Sequence, residues 1–516
     1  MSLAPGKVFL VGAGPGDPAL VTLRGVECLR QAHLILYDEL TSPRLLDYAS
    51  PGAEKVPLRE LAELHGERSA LALSRAIDAA RKGQSVVRLK GGDPTIFGRC
   101  FEETALLRQA GVPYEIVPGV TAACAASAYA EIPLTHREHS STVVFLTGHE
   151  CPGKTESAVA WPHLAQLQGT LAIYMGVKRL EEVCRHLRTH GMSPQTPAAV
   201  VQWASAPRQR TVFGTLATIG RMATEAGLQA PAMVLLGPAV GLGQQPSWFE
   251  ALPLRGQTVL VTRPVGQADD MVRELERLGA EVFACPMLVI GPPPDLEAVT
   301  NVLADLPRYQ WLAFTSGNGV RAFMSLLRQN GQDLRALGHV KLAAIGPNTA
   351  AALAAFHLQA DLLPEVYRSE DLAAQLIPRV RGQRVLLARA DRGRDVLPRQ
   401  LAAVAEVTQI AVYSQVACTE LPGPVRQLLA SGRHLHVTLT SGNIARQFLA
   451  LLPKDCTSRV GTGIHLISIS PVTTQAVREQ GYQVAGEAKV YTPAGVVAAL
   501  VEMEQHRKAR PTSAVP

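Results

Sequence analysis

The chain has 516 residues, 47% of them hydrophobic and 18% charged, with a formal net charge of +6. Charged residues fall below the roughly 25% of ordinary soluble chains, which suits several α/β cores with strands covered on both faces. No Lys/Arg block is long enough for a nucleic-acid footprint and no apolar run approaches the roughly 18 residues of a membrane span, so neither partner is expected.

In chain order, the first strand is read at Val8 to Val11, running into "GAGPGDP". Gly12 and Gly14 fit the first two places of a dinucleotide fingerprint. The third falls on Asp17, and Pro15 has no N–H to offer a pyrophosphate, so a Rossmann reading is poor. What survives is a buried strand ending where backbone can approach a ligand. A second such end is "VVRLKGGDPTIFGR" (Val86 to Arg99), with Gly91-Gly92 and the Asp93 carboxylate. "VPGVTAACAASAYAEIPLTHR" follows, a turn and then a helix start of small residues. Strand-end loops of an open sheet bind ligands together. Further strands are read at "TVVFLTG" and "TLAIYMG".

Near residue 245 the texture changes to "GLGQQPSWFEALPLRGQ", expected as a linker over 244–256. Beyond it lies a long-period repeat. "VLVTR" ending at Arg263 recurs as "VLLAR" ending at Arg389, 126 positions on. "FTSGN" around Ser316 recurs as "LTSGN" around Ser441, 125 on, and "AIGPNT" recurs as "SISPVT", 124 on. A duplicated domain is therefore expected over 257–503, with a cleft between similar lobes. The end, 504–516, is polar and expected to be disordered. The eight cysteines are scattered singly without metal-ligand spacing, so buried free thiols, no metal and a cytoplasmic setting are expected. No basic-then-apolar signal pattern opens the chain.

"VGAGPGDPALVTLRG", "LYDEL", "RLKGGDPTIFGR", "VPGVTAACAASAYAEIPLTHR", "TGHE", "YMGV" and "QWASAPRQRTVFGTL" resemble the tetrapyrrole methylase family. Within it they are most similar to uroporphyrinogen-III C-methyltransferase, over about 1–243. The resemblance implies a two-lobed α/β methylase fold, a homodimer and S-adenosylmethionine as methyl donor. Carried over by position, the donor's contacts are Pro15, Gly91, Gly92, Asp93, Ile96, Thr121, Ala122, Met175 and Ala204, and the proton acceptor is Asp38. A carboxylate suits that role, because a methylated ring carbon must shed a proton. One departure is Glu60, which an ungapped alignment places where the family has a proton-donating lysine; Arg59 beside it cannot replace that chemistry. Another is "GRCFEE", where the family has Gly-Gly.

The repeated strings, with "VLLARADRGRDVLPRQL" and "VYSQV", resemble uroporphyrinogen-III synthase, implying a duplicated two-lobed α/β fold with parallel sheets. Its substrate, hydroxymethylbilane, carries eight carboxylates, and its product, uroporphyrinogen III, is the substrate of the first half. Strand-end Thr-Ser-Gly before a helix makes an anion site. Ser316, Asn318, Thr349, Ser441, Asn443 and Thr473 fit that role, with Arg263, Arg389, Arg392 and Arg394 adding charge. Tyr413 matches the family's cleft tyrosine, a proton source for the departing hydroxyl. The expected function is cyclisation with inversion of the last ring, then two C-methylations to precorrin-2, toward siroheme or cobalamin. Alternatives are a methylase for a later corrinoid, or a non-catalytic binding module, fused to the synthase.

Overall fold

The computed structural model describes residues 6–61, 65–148, 159–243, 245–393 and 395–509. The chain divides into two compact units. One runs to Thr258 and includes Glu274–Glu281 and the chain from Glu504; the other comprises Val259–Arg273 and Val282–Met503.

The first unit holds two five-stranded sheets. In one, β1 (Val8–Gly12), β2 (Leu34–Tyr37), β3 (Glu54–Pro57), β4 (Val86–Lys90) and β5 (Tyr114–Val117) lie in the order β3-β2-β4-β1-β5, all parallel. β1 and β4 are buried along their whole length, as strands covered by helices on both faces must be. The other sheet comprises β6 (Val143–Thr147), β7 (Thr170–Tyr174), β8 (Pro197–Gln202), β9 (Arg210–Thr215) and β10 (Ala232–Leu236), ordered β6-β7-β10-β8-β9. Only β6–β7 is parallel there. The Ala-rich helix Ala122–Ala130 packs Ala123, Ala125, Ala126 and Ala130 onto Ala172, Ala199, Val201 and Leu235 of this second sheet. Methyl-sized side chains let helix and sheet approach closely, which explains the low bulk of "AACAASAYA".

Glycines set how closely the strand ends of the first sheet meet. A Cβ on Gly119 would lie 2.4 Å from the Gly92 carbonyl oxygen, and one on Gly12 would lie 2.6 Å from the Gly119 Cα. Gly92 has φ +67°, and its N–H and C=O pair with Gly14 at 2.8 and 3.2 Å. These glycines are therefore spent first on loop-to-loop contact.

The stretch expected as a linker is folded where it is described. Ser247 Oγ donates to the Tyr129 carbonyl (2.7 Å), Trp248 Nε1 donates to that of Ala128 (2.9 Å), and the Tyr129, Trp248 and Phe249 rings cluster.

The second unit is built from β11 (Thr258–Val261), β12 (Glu281–Ala284), β13 (Leu288–Gly291), β14 (Trp311–Phe314), β15 (Lys341–Ala344), β16 (Arg384–Ala390), β17 (Glu406–Ala417), β18 (Leu435–Leu439), β19 (Ile464–Ser468) and β20 (Gly486–Glu487). They form two sheets, β12-β11-β18-β19-β20 and β13-β17-β16-β14-β15. The repeat is visible in the order: the run β11-β18-β19 in one sheet corresponds to β16-β14-β15 in the other. The chain starts one lobe, builds the whole of the other, then returns. The sheets are parallel as expected except at one edge, where β13 runs antiparallel to β17. One of these segments enters the lobe and the other leaves it, so side by side they must point opposite ways.

The expected disordered end also needs correction. Helix Pro493–Ala509 runs through 504–509 with Glu504 fully buried, and 510–516 lies outside the described residues. No described helix is long and apolar enough to cross a membrane. Of the seven described cysteines, all free, Cys28, Cys100, Cys184, Cys285 and Cys456 are buried, Cys418 is half-buried and Cys124 is exposed.

Replacing Gly119 by Ala forces a methyl against the Gly92 carbonyl, and chemical denaturation should show a loss of about 1–3 kcal/mol.

Candidate functional site

The strand ends of the first unit open onto a cavity of about 990 Å³. Pro15, Asp38, Gly91, Gly92, Asp93, Ile96, Thr121, Ala122, Met175 and Ala204 all line it. They come from both sheets' loops: the first supplies Pro15 to Ala122, the second Met175 and Ala204. Met175 (φ +55°) and Trp203 (φ +51°) sit in the left-handed region, which side chains larger than glycine adopt only when neighbours force it. A Cβ on Gly91 would meet only the Leu40 Cβ within 4 Å, so the cavity reaches the main chain there.

Asp93 is used internally. Oδ1 accepts from the Thr95 N–H (2.7 Å) and hydroxyl (2.5 Å), and Oδ2 accepts from the Gly119 N–H (3.0 Å). Burial pushes its carboxyl up, but the Thr95 hydroxyl and the N–H groups of Gly119, Thr95 and Ile96 outweigh it and hold it below the usual range. It ties the 91–96 loop to the turn before Thr121. The Tyr174 hydroxyl sits 2.6 Å from Thr121 Oγ1 and accepts from the Ala123 N–H.

Asp38 directly follows β2, with its carboxylate Oδ1 2.6 Å from an Arg88 guanidinium nitrogen. Behind it Lys90 Nζ lies 2.8 Å from Glu103 Oε1, and Arg88 Nε lies 3.6 Å from the same oxygen. Arg88, Lys90 and Glu103 are each under a tenth exposed, so this is a buried cluster of two cations and one anion completed by Asp38. Its formal charge balances, which is the condition for burying such groups. None of the three was singled out in the sequence. Their signal was charge at inward positions of a strand, "RLK", that otherwise reads as core.

Glu60 lies exposed in the turn Leu58–Glu60 and does not line the cavity; cations that do line it include Arg68, 3.0 Å from Glu39, with Arg88, Lys90, Arg99 and Lys178. Of the "GRCFEE" stretch, Cys100 is buried and Phe101 points outward.

In the second unit a pocket of about 230 Å³ lies at the ends of β14, β15, β16 and β17. Ser316, Arg389, Arg392 and Tyr413 line it. Ser316 Oγ caps helix Gly317–Gln329 by accepting the Gly319 N–H (3.0 Å), and stands 3.1 Å from the Tyr413 hydroxyl. A register shift at Arg389/Ala390 pairs Ala390 with Tyr413 and leaves Val412 extra, so a bulge turns the tyrosine toward the pocket.

Asn318 and Thr349 are in the same lobe. Asn318 accepts from Arg321 (2.7 Å), and Thr349 is buried in helix Pro347–Ala354. Ser441, Asn443, Thr473 and Arg263 belong to the other lobe. Ser441 caps helix Gly442–Leu451, Asn443 faces Arg446, and Thr473 is buried in helix Pro471–Arg478. Burial lowers the Arg263 pKa. Arg394 lies outside the described residues. In both lobes one helix begins against the neighbouring helix: a Cβ on Gly317 would be 3.3 Å from the Ala352 Cβ and 3.4 Å from the Asn348 carbonyl oxygen, and one on Gly442 3.2 Å from the Ala476 Cβ and 4.0 Å from the Val472 carbonyl oxygen.

Residues 7–220 match the model for tetrapyrrole (corrin/porphyrin) methylases, and 269–498 match that for uroporphyrinogen-III synthase HemD. Porphyrin biosynthesis protein HemD of Ruminiclostridium josui is 33% identical over 447 residues, 86% of this chain and 88% of its own length. The chain belongs to both families, a methylase and a synthase in one polypeptide. Uroporphyrinogen-III C-methyltransferase of Priestia megaterium is 45% identical over 235 residues, 46% of this chain and 98% of its own. A Thermus thermophilus uroporphyrin-III C-methyl transferase structure, complexed with S-adenyl homocysteine, is 37% identical over 46% of this chain and all of its own, with TM-score 0.39.

Among the described residues of the methylase unit, His136, Glu138 and His139 bring metal-ligating atoms within 4.8 Å of one another. That turn is largely exposed, and His136 Nδ1 already accepts the Glu138 N–H.

Asp93→Asn should cost about 1–3 kcal/mol at pH 7, because hydrogen bonds to a buried charge are lost. The Asp93 pKa is depressed on folding, so its contribution is full above the unfolded value of 3.8 and fades as pH falls through the lower folded value. Urea titrations of both proteins should therefore differ at pH 7 and converge toward pH 2.

Proposed function

We propose that the chain catalyses two consecutive steps on one tetrapyrrole: the synthase unit cyclises hydroxymethylbilane to uroporphyrinogen III, and the methylase unit C-methylates it twice to precorrin-2. The observation that carries the methylase reading is that every residue transferred from the family's motifs lines one cavity. S-Adenosylmethionine fits the residues there, since Gly91 and Gly92 leave main chain exposed where a side chain would intrude, and Ile96, Ala122 and Ala204 add apolar contact. It supplies an electrophilic methyl group. Asp38 would accept the proton that the methylated ring carbon releases, and Arg88 holds that carboxylate in place. Arg68, Arg99 and Lys178 on the lining would meet the substrate's carboxylates.

In the synthase unit, Tyr413 would protonate the departing hydroxyl of hydroxymethylbilane, which leaves as water. The paired helix starts supply unpaired N–H groups to carboxylates in each lobe. Glu60, exposed and off the cavity, does not bar methyl transfer, which disfavours the silent-module alternative.

The test is anaerobic incubation with hydroxymethylbilane, with and without S-adenosylmethionine, resolving products by isomer and mass. Expected are type III uroporphyrinogen alone and a gain of two methyl groups with the donor. Only the spontaneous type I isomer would remove the synthase reading, and type III without methyl gain the methylase reading. Asp38→Asn should slow methyl transfer to supplied uroporphyrinogen III by about 100-fold or more and leave cyclisation unchanged, whereas Tyr413→Phe should do the reverse.

A further inference from the structure

The internal repeat of the synthase unit extends beyond its strand-end motifs. Val366-Tyr367 recurs as Val490-Tyr491, both 124 positions on, the same spacing that relates Pro347 to Pro471 and Thr349 to Thr473. Leu372, Ala373 and Leu376 correspond in the same way to Val496, Val497 and Leu500, apolar and buried in both copies. Packing explains why those positions stay apolar. It does not explain the preceding pair. Val366 and Tyr367 are 47% and 58% exposed, and Val490 and Tyr491 are 63% each. Both lobes keep the same exposed Val-Tyr.

The location accounts for it. Gly346, which precedes helix Pro347–Ala354, would carry a Cβ 3.2 Å from the Tyr367 Cβ, so the tyrosine stands over that helix start. Ser369, two residues on, lines the pocket with Ser316 and Tyr413. Among the described residues neither the Tyr367 nor the Tyr491 hydroxyl has a hydrogen-bond partner. Tyr367, a phenol with an uncommitted hydroxyl beside a helix start, is suited to a carboxylate on an otherwise flat, apolar ring, and Tyr491 holds the equivalent place in the repeat.

We propose that Tyr367 and Tyr491 are a matched pair of substrate-contacting residues, one in each lobe, whose hydroxyls donate to carboxylates of the linear tetrapyrrole while their rings cover its pyrroles. This rests on the synthase reading above. The pair holds the substrate and takes no part in proton transfer, so its loss falls on KM.

Tyr367→Phe, Tyr491→Phe and the double variant test it, with hydroxymethylbilane varied under anaerobic conditions. Loss of one hydrogen bond to a carboxylate should raise KM about tenfold in each single variant, and more in the double, with kcat within about twofold. Methyl transfer to supplied uroporphyrinogen III and the thermal unfolding midpoint should match the parent protein and so report intact folding. A double variant whose KM stays within about twofold of a cyclising parent overturns the proposal, and so does an effect confined to one tyrosine. A fall in kcat at unchanged KM also overturns it. A parent protein that yields only type I isomer defeats the synthase reading itself, and the paired contact with it.

Discussion

The mutual approach of Gly12, Gly92 and Gly119 is the constraint on which the methylase cavity depends. Three loops that leave the same edge of a parallel sheet come within backbone contact, which no Cβ would allow. Beside that contact Gly91 and Pro15 line the cavity, and Asp93 secures it by joining its own loop to Gly119. A glycine-rich strand end that looks like a nucleotide fingerprint thus has another physical purpose. Its glycines bring loops together, and the ligand surface is what the loops leave uncovered.

The synthase unit solves a different problem. A flexible polyacid needs many weak anion contacts spread over a wide surface. Duplication repeats one arrangement in each copy, in which a helix begins close against its neighbour, Gly317 against Ala352 and Gly442 against Ala476. The charged centre of the methylase is compact and internally balanced, with Asp38, Arg88, Glu103 and Lys90 linked in a chain. The synthase keeps its charge dispersed, and only Arg389 is both buried and on the described pocket.

The organisation of both halves was legible because strand-end glycines, caps and a repeat spacing are local features of sequence. The features that escaped depend on long-range packing. Arg88 and Lys90 read as interruptions of an apolar strand, and only Asp38 at the end of a neighbouring strand and Glu103, brought in from a separate helix, explain their burial. The extra residue Val412, which re-aims Tyr413, is invisible without the partner strand β16. The stretch around Ser247 to Phe249 has linker composition, yet its aromatic residues find Tyr129. Glu60 took a place in an alignment that its exposed turn does not give it in space. Likewise, the antiparallel β13 edge follows from where the chain crosses between lobes, which residue pattern alone does not encode.

Glycine contact shapes the methylase cavity independently of the synthase. Calorimetric titration of S-adenosylhomocysteine into the parent protein and into Gly12→Ala tests it most directly, with cyclisation assayed on the same preparations. The parent should bind one equivalent per chain, and Gly12→Ala should bind at least about tenfold more weakly while cyclising at the parental rate. Unchanged affinity in the variant, or no binding by the parent, would contradict the account.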